Sequence, residues 1–98
     1  MNKFQELIQS EKLVLVDFFA TWCSPCKAMP PILESVKKTV GDAATIIKID
    51  IDKNGPIAQQ YQIQSVPTLL LFKKGQILWR QSGVVPESSL IDLIQKNK

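Results

Sequence analysis

Two cysteines, Cys23 and Cys26, stand three residues apart in the run Trp22-Cys23-Ser24-Pro25-Cys26-Lys27, and the chain has no histidine. Zinc takes four Cys, His or carboxylate ligands, so this pair alone makes a poor site and no metal is expected. The chemistry within its reach is thiol–disulfide exchange. Residues three apart in a first helical turn face one side, with Cα atoms inside the roughly 4.4–6.8 Å that a disulfide spans. Cys23 and Cys26 can therefore open and close with little movement. Cys23 falls at the expected helix start, where free N–H groups and the positive dipole end favour the thiolate, the nucleophilic form. An exposed Cys23 is expected to attack, and a less exposed Cys26, one turn inside, to resolve the mixed disulfide. Pro25 in that first turn costs no helical hydrogen bond. A purely structural disulfide is the blander reading, but a reducing compartment would keep so short a bridge open.

A second residue is out of place for its surroundings. Asp17 is the lone carboxylate of the apolar run Leu13–Ala20, LVLVDFFA. Such a run reads as a strand buried on both faces, and a carboxyl held there should have its pKa raised by desolvation. Beside a thiol it would make a general base. A core aspartate satisfied by a partner, or a strand-edge residue, is the alternative.

Other elements must bring these groups together. Phe4, Leu7 and Ile8 mark a short helix ending near Ser10, and Met29, Ile32, Leu33 and Val36 mark a helix from Ser24 to about Val40, stopped by Gly41. Pro30 and Pro31 remove donors that would reach the Cys26 and Lys27 carbonyls, so a bend is expected there. Thr45–Asp52 alternates isoleucines with Lys48, Asp50 and Asp52, the pattern of a strand near a sheet edge. Lys48 is a lone charge on that mixed face, solvated or electrostatically active. Pro56 opens a short helix through Tyr61; Pro67–Phe72 and Gln76–Gln81 form a hairpin; Pro86 opens a last helix that frays at Lys96-Asn97-Lys98. The order α-β-α-β-α-β-β-α contains one βαβ crossover, so an α/β domain over residues 1–98 follows, with a central mixed sheet and helices on both faces.

Composition sets the remaining bounds. A chain of 98 residues with 45% hydrophobic content has room for one domain. Twelve basic and nine acidic residues are scattered, giving a formal charge of +3. The longest basic runs are the pairs Lys37-Lys38 and Lys73-Lys74, without interleaved aromatics, so no nucleic-acid partner is expected. No apolar run approaches the ~18 residues of a membrane span, and the amphipathic start does not read as a signal peptide. A cytoplasmic location is therefore expected.

The runs VDFFATWCSPCK (16–27), KIDIDKN (48–54), SVPTLLLFKKG (65–75) and QSGVV (81–85) together resemble the thioredoxin family over nearly the whole length. The resemblance implies a thioredoxin fold and a dithiol that reduces disulfides in other proteins. It implies Cys23 as nucleophile, Cys26 as resolving thiol, Asp17 as the proton acceptor behind Cys26, and Lys48 as the lysine near that aspartate. Trp22 matches a tryptophan packed beside the cysteines. Val66-Pro67 matches a cis dipeptide whose backbone pairs with the substrate chain, and Gly83 and Val84 match the loop completing an apolar rim. Ser24 and Pro25 complete the redox loop, with Ser24 standing where glycine is usual and its hydroxyl free to donate to a Cys23 thiolate. Phe19 stands at an aromatic position often held by tryptophan. The family's extra strand before the first helix is expected to be absent, which leaves Thr45–Asp52 as an uncovered edge of a four-stranded sheet. The implied electron source is an NADPH-dependent thioredoxin reductase, with no bound cofactor and a monomeric chain. A thiol oxidase or isomerase of an oxidising compartment shares this pattern, and a binding module using the Trp22 and Pro67 surface is the reading from outside enzymology.

Overall fold

The structure, a computed structural model, describes residues 2–98. Its elements follow the expected order. Helix α1 is Lys3–Ile8, strand β1 Leu13–Phe19, helix α2 Met29–Val40 and strand β2 Ala44–Asp50. Helix α3 is Gly55–Gln60, strand β3 Thr68–Lys73, strand β4 Gln76–Ser82 and helix α4 Glu87–Asn97. The sheet order is β2-β1-β3-β4, with β2 parallel to β1 and the other neighbours antiparallel. Among the described residues β2 and β4 are the edges, which agrees with the alternation of charged and apolar residues along β2.

Strand β1 is flanked on both sides, so both of its faces must be covered. Alternation sends Leu13 and Leu15 into a cluster with Met29, Leu33 and Val36 of α2 and Leu90 and Ile94 of α4. Val14, Val16 and Phe18 point the other way, to Phe4 and Ile8 of α1 and to Leu70 and Phe72 of β3. The aromatic rings of Phe4, Tyr61 and Phe72 meet edge to face within that second layer, with centroids 5.4–6.1 Å apart. Asp17 has the parity of Leu13 and Leu15. It therefore faces the α2 layer, beneath the turn that carries the cysteines.

Three boundaries differ from the sequence expectation, each for a local reason. The helix expected from Ser24 divides into a 3-10 turn, Pro25–Ala28, and α2, with Pro30 and Pro31 in the first turn of α2. The bend expected at these prolines is a change of helix type, in which Met29 N–H closes a tighter turn onto the Cys26 carbonyl. Strand β2 ends at Asp50 rather than Asp52, because the Asp50 carboxylate accepts the N–H groups of Asp52 at 2.9 Å and Lys53 at 3.4 Å and turns the chain. Strand β3 is Thr68–Lys73 rather than Pro67–Phe72, because the hairpin closes through Lys74 and Gly75 alone, both at positive φ, the signature of a two-residue primed turn, and Lys73 pairs with Gln76.

Both layers carry the stability, so a large-to-small change at the sheet centre should far outweigh one on the open face of β4. Phe72→Ala is expected to cost about 3–5 kcal/mol in urea unfolding, and Leu78→Ala, at 44% exposure, within about 0.5 kcal/mol. Similar losses at the two positions would contradict this layering.

Candidate active site

The end of β1 leads through Ala20 and Thr21 to Trp22, and Cys23 closes the turn by donating its N–H to the Ala20 carbonyl at 3.2 Å. Cys23 and Cys26 are joined in a disulfide with Cα atoms 5.3 Å apart. The expectation of an exposed Cys23 does not hold in this oxidised state: Cys23 is 5% accessible and Cys26 4%. Phe19, Ile51 and Val66 pack against the cluster that the two cysteines form with Ala20. Burial therefore does not distinguish them; hydrogen bonding does. Cys23 Sγ receives the backbone N–H of Cys26 at 3.2 Å, a donor that would favour negative charge on that sulfur once the disulfide opens. In this oxidised state the donor is the N–H of Cys26, and the exposed Ser24 side chain makes no capping bond to the turn.

Cys26 faces a different environment. A cavity of about 260 Å³ lies beside it, lined also by Asp17, Phe19, Ala20, Thr21, Lys27, Pro30 and Lys48. Asp17 is 1% accessible, and neither of its carboxylate oxygens has a hydrogen-bond partner. Burial pushes its pKa up from 3.8 to about 6, while the positive charge of Lys48 draws it part of the way back. Lys48 is the register partner of Asp17 across the β1–β2 pair, but its side chain is exposed and lies over the Phe19 ring, 5.5 Å from the centroid. It acts on Asp17 through space and forms no contact ion pair. No group of the described residues satisfies the Asp17 oxygens and β1 is an interior strand, so neither the partner-satisfied core aspartate nor the strand-edge residue describes this position.

The far side of the disulfide is built by the loop before β3 and the loop after β4. The Val66–Pro67 peptide bond is cis, and the Val66 carbonyl oxygen lies 3.5 Å from Cys23 Sγ. Gly83, at φ +94, donates its N–H to the Pro67 carbonyl at 2.8 Å, which joins the two loops. Trp22 is 69% exposed and Val84 is exposed, while Val66 is half-buried and Pro67 buried. These residues form an apolar rim beside a nearly covered disulfide. Ser24 and Pro25, between the two cysteines, are exposed.

Three supporting residues lie outside the reach of sequence reasoning. Asp52 accepts the Trp22 indole N–H at 2.9 Å, across 30 residues of sequence. Buried Thr68 donates its hydroxyl to the Ser65 carbonyl at 2.7 Å and shares a hydrogen bond with the Ser82 hydroxyl at 2.9 Å, which anchors the Val66-Pro67 loop to β4. The only advance signal for Asp52 is a second acid at the end of an alternating strand. Among the described residues no cluster of metal-ligating side chains occurs, and no helix is long and apolar enough to cross a membrane.

A C-x-x-C disulfide at a strand-to-helix turn, with a buried carboxyl behind it and a cis-proline loop in front, defines a redox-disulfide protein on an α/β scaffold. The chain belongs to the thioredoxin family, whose model matches residues 1–96. A thioredoxin-like protein of Synechocystis is 51% identical over 94 residues, covering 96% of this chain and 90% of that relative. The thioredoxin of Bacillus subtilis is 42% identical, covering 90% of this chain and 85% of its own. Chloroplastic thioredoxin Y2 of Arabidopsis thaliana is 44% identical over 98% of this chain, which spans 58% of that relative's length. Among solved structures, a mutant thioredoxin from Halobacterium salinarum superposes with a TM-score of 0.88 at 33% identity, covering 98% of this chain and 83% of that one. Oxidised mitochondrial thioredoxin 3 of Saccharomyces cerevisiae gives 0.85 at 32% identity, covering 96% and 87%.

The Asp17 environment has a thermodynamic consequence. Its folded pKa lies above its unfolded value, so the folded state binds the proton more tightly. The stability this group supplies is full below pH about 3.8 and is lost as pH rises through about 6. At neutral pH the charge costs about 3 kcal/mol. Asp17→Asn should therefore stabilise the oxidised protein by up to that amount at pH 7.5, with the gain shrinking towards zero at pH 4. Urea unfolding at both pH values tests this, and a gain independent of pH would contradict it.

Proposed function

We propose that this protein is a protein-disulfide reductase, working through reversible opening of the Cys23–Cys26 bridge. The observation that carries this reading is the unequal treatment of two equally buried sulfurs. Cys23 Sγ takes the Cys26 N–H, and Cys26 backs onto the cavity that holds an unpartnered Asp17. In the reduced state the Cys23 thiolate attacks one sulfur of a substrate disulfide, and the other leaves as a thiolate that takes a proton. Asp17 then accepts the Cys26 thiol proton, and Cys26 attacks Cys23 Sγ. The second substrate thiol is released and the Cys23–Cys26 bridge closes. Two electrons have passed to the substrate. The dithiol itself is the carrier, so no bound cofactor is required.

Substrate recognition fits the rim. An extended chain laid across Val66 can pair with its backbone while Trp22, Pro67, Gly83 and Val84 contact apolar side chains around the attacked disulfide. The electron donor consistent with this chemistry is an NADPH-dependent thioredoxin reductase, the partners are disulfide-containing proteins, and the chain acts as a monomer in the reducing cytoplasm. Neither nucleic acid nor membrane has a place in this scheme.

The two cysteines should fail in different ways. Cys23→Ser is expected to abolish dithiol-driven reduction of insulin, followed by precipitation of its freed chain, whereas Cys26→Ser should accumulate a covalent mixed disulfide seen by mass spectrometry. Trapping by Cys23→Ser and none by Cys26→Ser would reverse the two roles, and full turnover by either variant would refute the mechanism.

A further inference from the structure

Buried Thr68 and exposed Ser82 face each other across the β3–β4 pair, with their hydroxyl oxygens 2.9 Å apart. Thr68 Oγ1 also lies 2.7 Å from the Ser65 carbonyl oxygen. A hydroxyl has one proton and a carbonyl has none to give, so the Thr68 proton goes to Ser65. The bond between the two hydroxyls then has a single direction, in which Ser82 donates and Thr68 Oγ1 accepts. With its proton committed, the Ser82 oxygen offers only acceptor lone pairs to anything outside the protein.

The position of that oxygen ties it to the rim. Ser82 pairs with Thr68, the residue after Pro67, and precedes Gly83 and Val84. The Ser65 carbonyl at the far end of the relay belongs to the residue before Val66, and the Gly83 N–H closes onto the Pro67 carbonyl. Rim residues thus bracket Ser82 both along β4 and across to β3. Arg80, two residues back and by alternation on the same face of β4, donates to the Tyr61 and Gln62 carbonyls and holds a positive charge on that face. A cationic donor is therefore disfavoured beside Ser82, and a neutral one fits.

We propose that Ser82 is a specificity-determining residue: its oriented oxygen selects protein disulfides whose flanking residue presents a neutral hydrogen-bond donor, an asparagine or glutamine amide, over those presenting a carboxylate there. This rests on the reading that a substrate chain lies across Val66 and the apolar rim. An amide N–H of the substrate completes the relay through Ser82 and Thr68 to Ser65. A carboxylate oxygen meets lone pairs instead, and Ser82 can turn its proton outward only by breaking its bond to buried Thr68. Such a contact discriminates by polarity between side chains of equal size, as asparagine and aspartate are.

The probes are heptapeptides with a central cysteine in a disulfide with thionitrobenzoate, carrying asparagine or aspartate at each flanking position in turn among alanines. Attack of the reduced protein's Cys23 on the peptide sulfur releases the coloured thiolate, and stopped flow reads the second-order rate. At one flanking position the asparagine-to-aspartate rate ratio is expected to be roughly three- to tenfold higher for the wild type than for Ser82→Ala. Ratios at the other positions should not change, and Ser82→Thr, which keeps the hydroxyl, should keep the wild-type ratio. A general loosening of the loop would slow both peptides alike and leave the ratio intact. Thr68→Val frees the Ser82 proton to meet a carboxylate, so it should lower the same ratio at least as far as Ser82→Ala does. Equal ratios for wild type and Ser82→Ala at every position, or a ratio unmoved by Thr68→Val, would overturn the proposal. Release of no thiolate from any peptide by the reduced wild type would instead overturn the reductase reading, and the proposal with it.

Discussion

The carboxyl group of Asp17 lies on an interior strand without a hydrogen-bond partner, and the arrangement of the rest of the molecule follows from holding it there. A carboxylate removed from water without compensation is among the more expensive groups a small domain can carry. At neutral pH its cost of about 3 kcal/mol is a sizeable part of the 5–15 kcal/mol by which such domains are stable. Two dense apolar layers offset it, one on each face of β1. Register is what keeps the group in place. A slip of one residue along β1 would expel Asp17 from the α2 layer and bring Phe18 into its position.

That constraint also explains why two sulfurs with nearly equal burial have different surroundings. The turn from β1 into α2 places Cys26 directly over the Asp17 cavity and leaves Cys23 on the side of the Val66-Pro67 loop. Cys23 gains a backbone N–H, and Cys26 shares a cavity with a buried carboxyl. The loops that frame Cys23 are fixed by short polar contacts: Thr68 to Ser65 and Ser82, Gly83 to Pro67, and Asp52 to Trp22. Arg80 reaches from β4 to the carbonyls of Tyr61 and Gln62 and secures the start of the same connection. The rim is thereby preorganised, which lowers the ordering cost of binding a chain against it.

Much of this is legible in the residue pattern. The buried run Leu13–Ala20, the edge alternation of Thr45–Asp52 and the hairpin of Pro67–Phe72 with Gln76–Gln81 are local patterns with a physical cause, and the sheet realises each of them with ends moved by one or two residues. Asp17 stands out because one charge in an apolar run has few explanations. The burial of Cys23 is not legible, because Ile51 and Val66, which pack against its cluster, are 28 and 43 positions away and no periodicity links them to it. Trp22 with Asp52 is a long-range pair of the same kind. The cis bond at Val66–Pro67 follows from family resemblance alone, since a proline at a strand start is ordinarily trans.

The reading of this molecule as a reductase rests on a dithiol that gives up electrons more readily than glutathione does, and its equilibrium potential measures that property directly. Incubating the chain in glutathione redox buffers and quantifying the Cys23–Cys26 bridge by alkylation yields the value. A potential near roughly −270 mV, in the range of dithiols that reduce protein disulfides, is predicted. A potential above roughly −180 mV, where isomerases and oxidases operate, would contradict it.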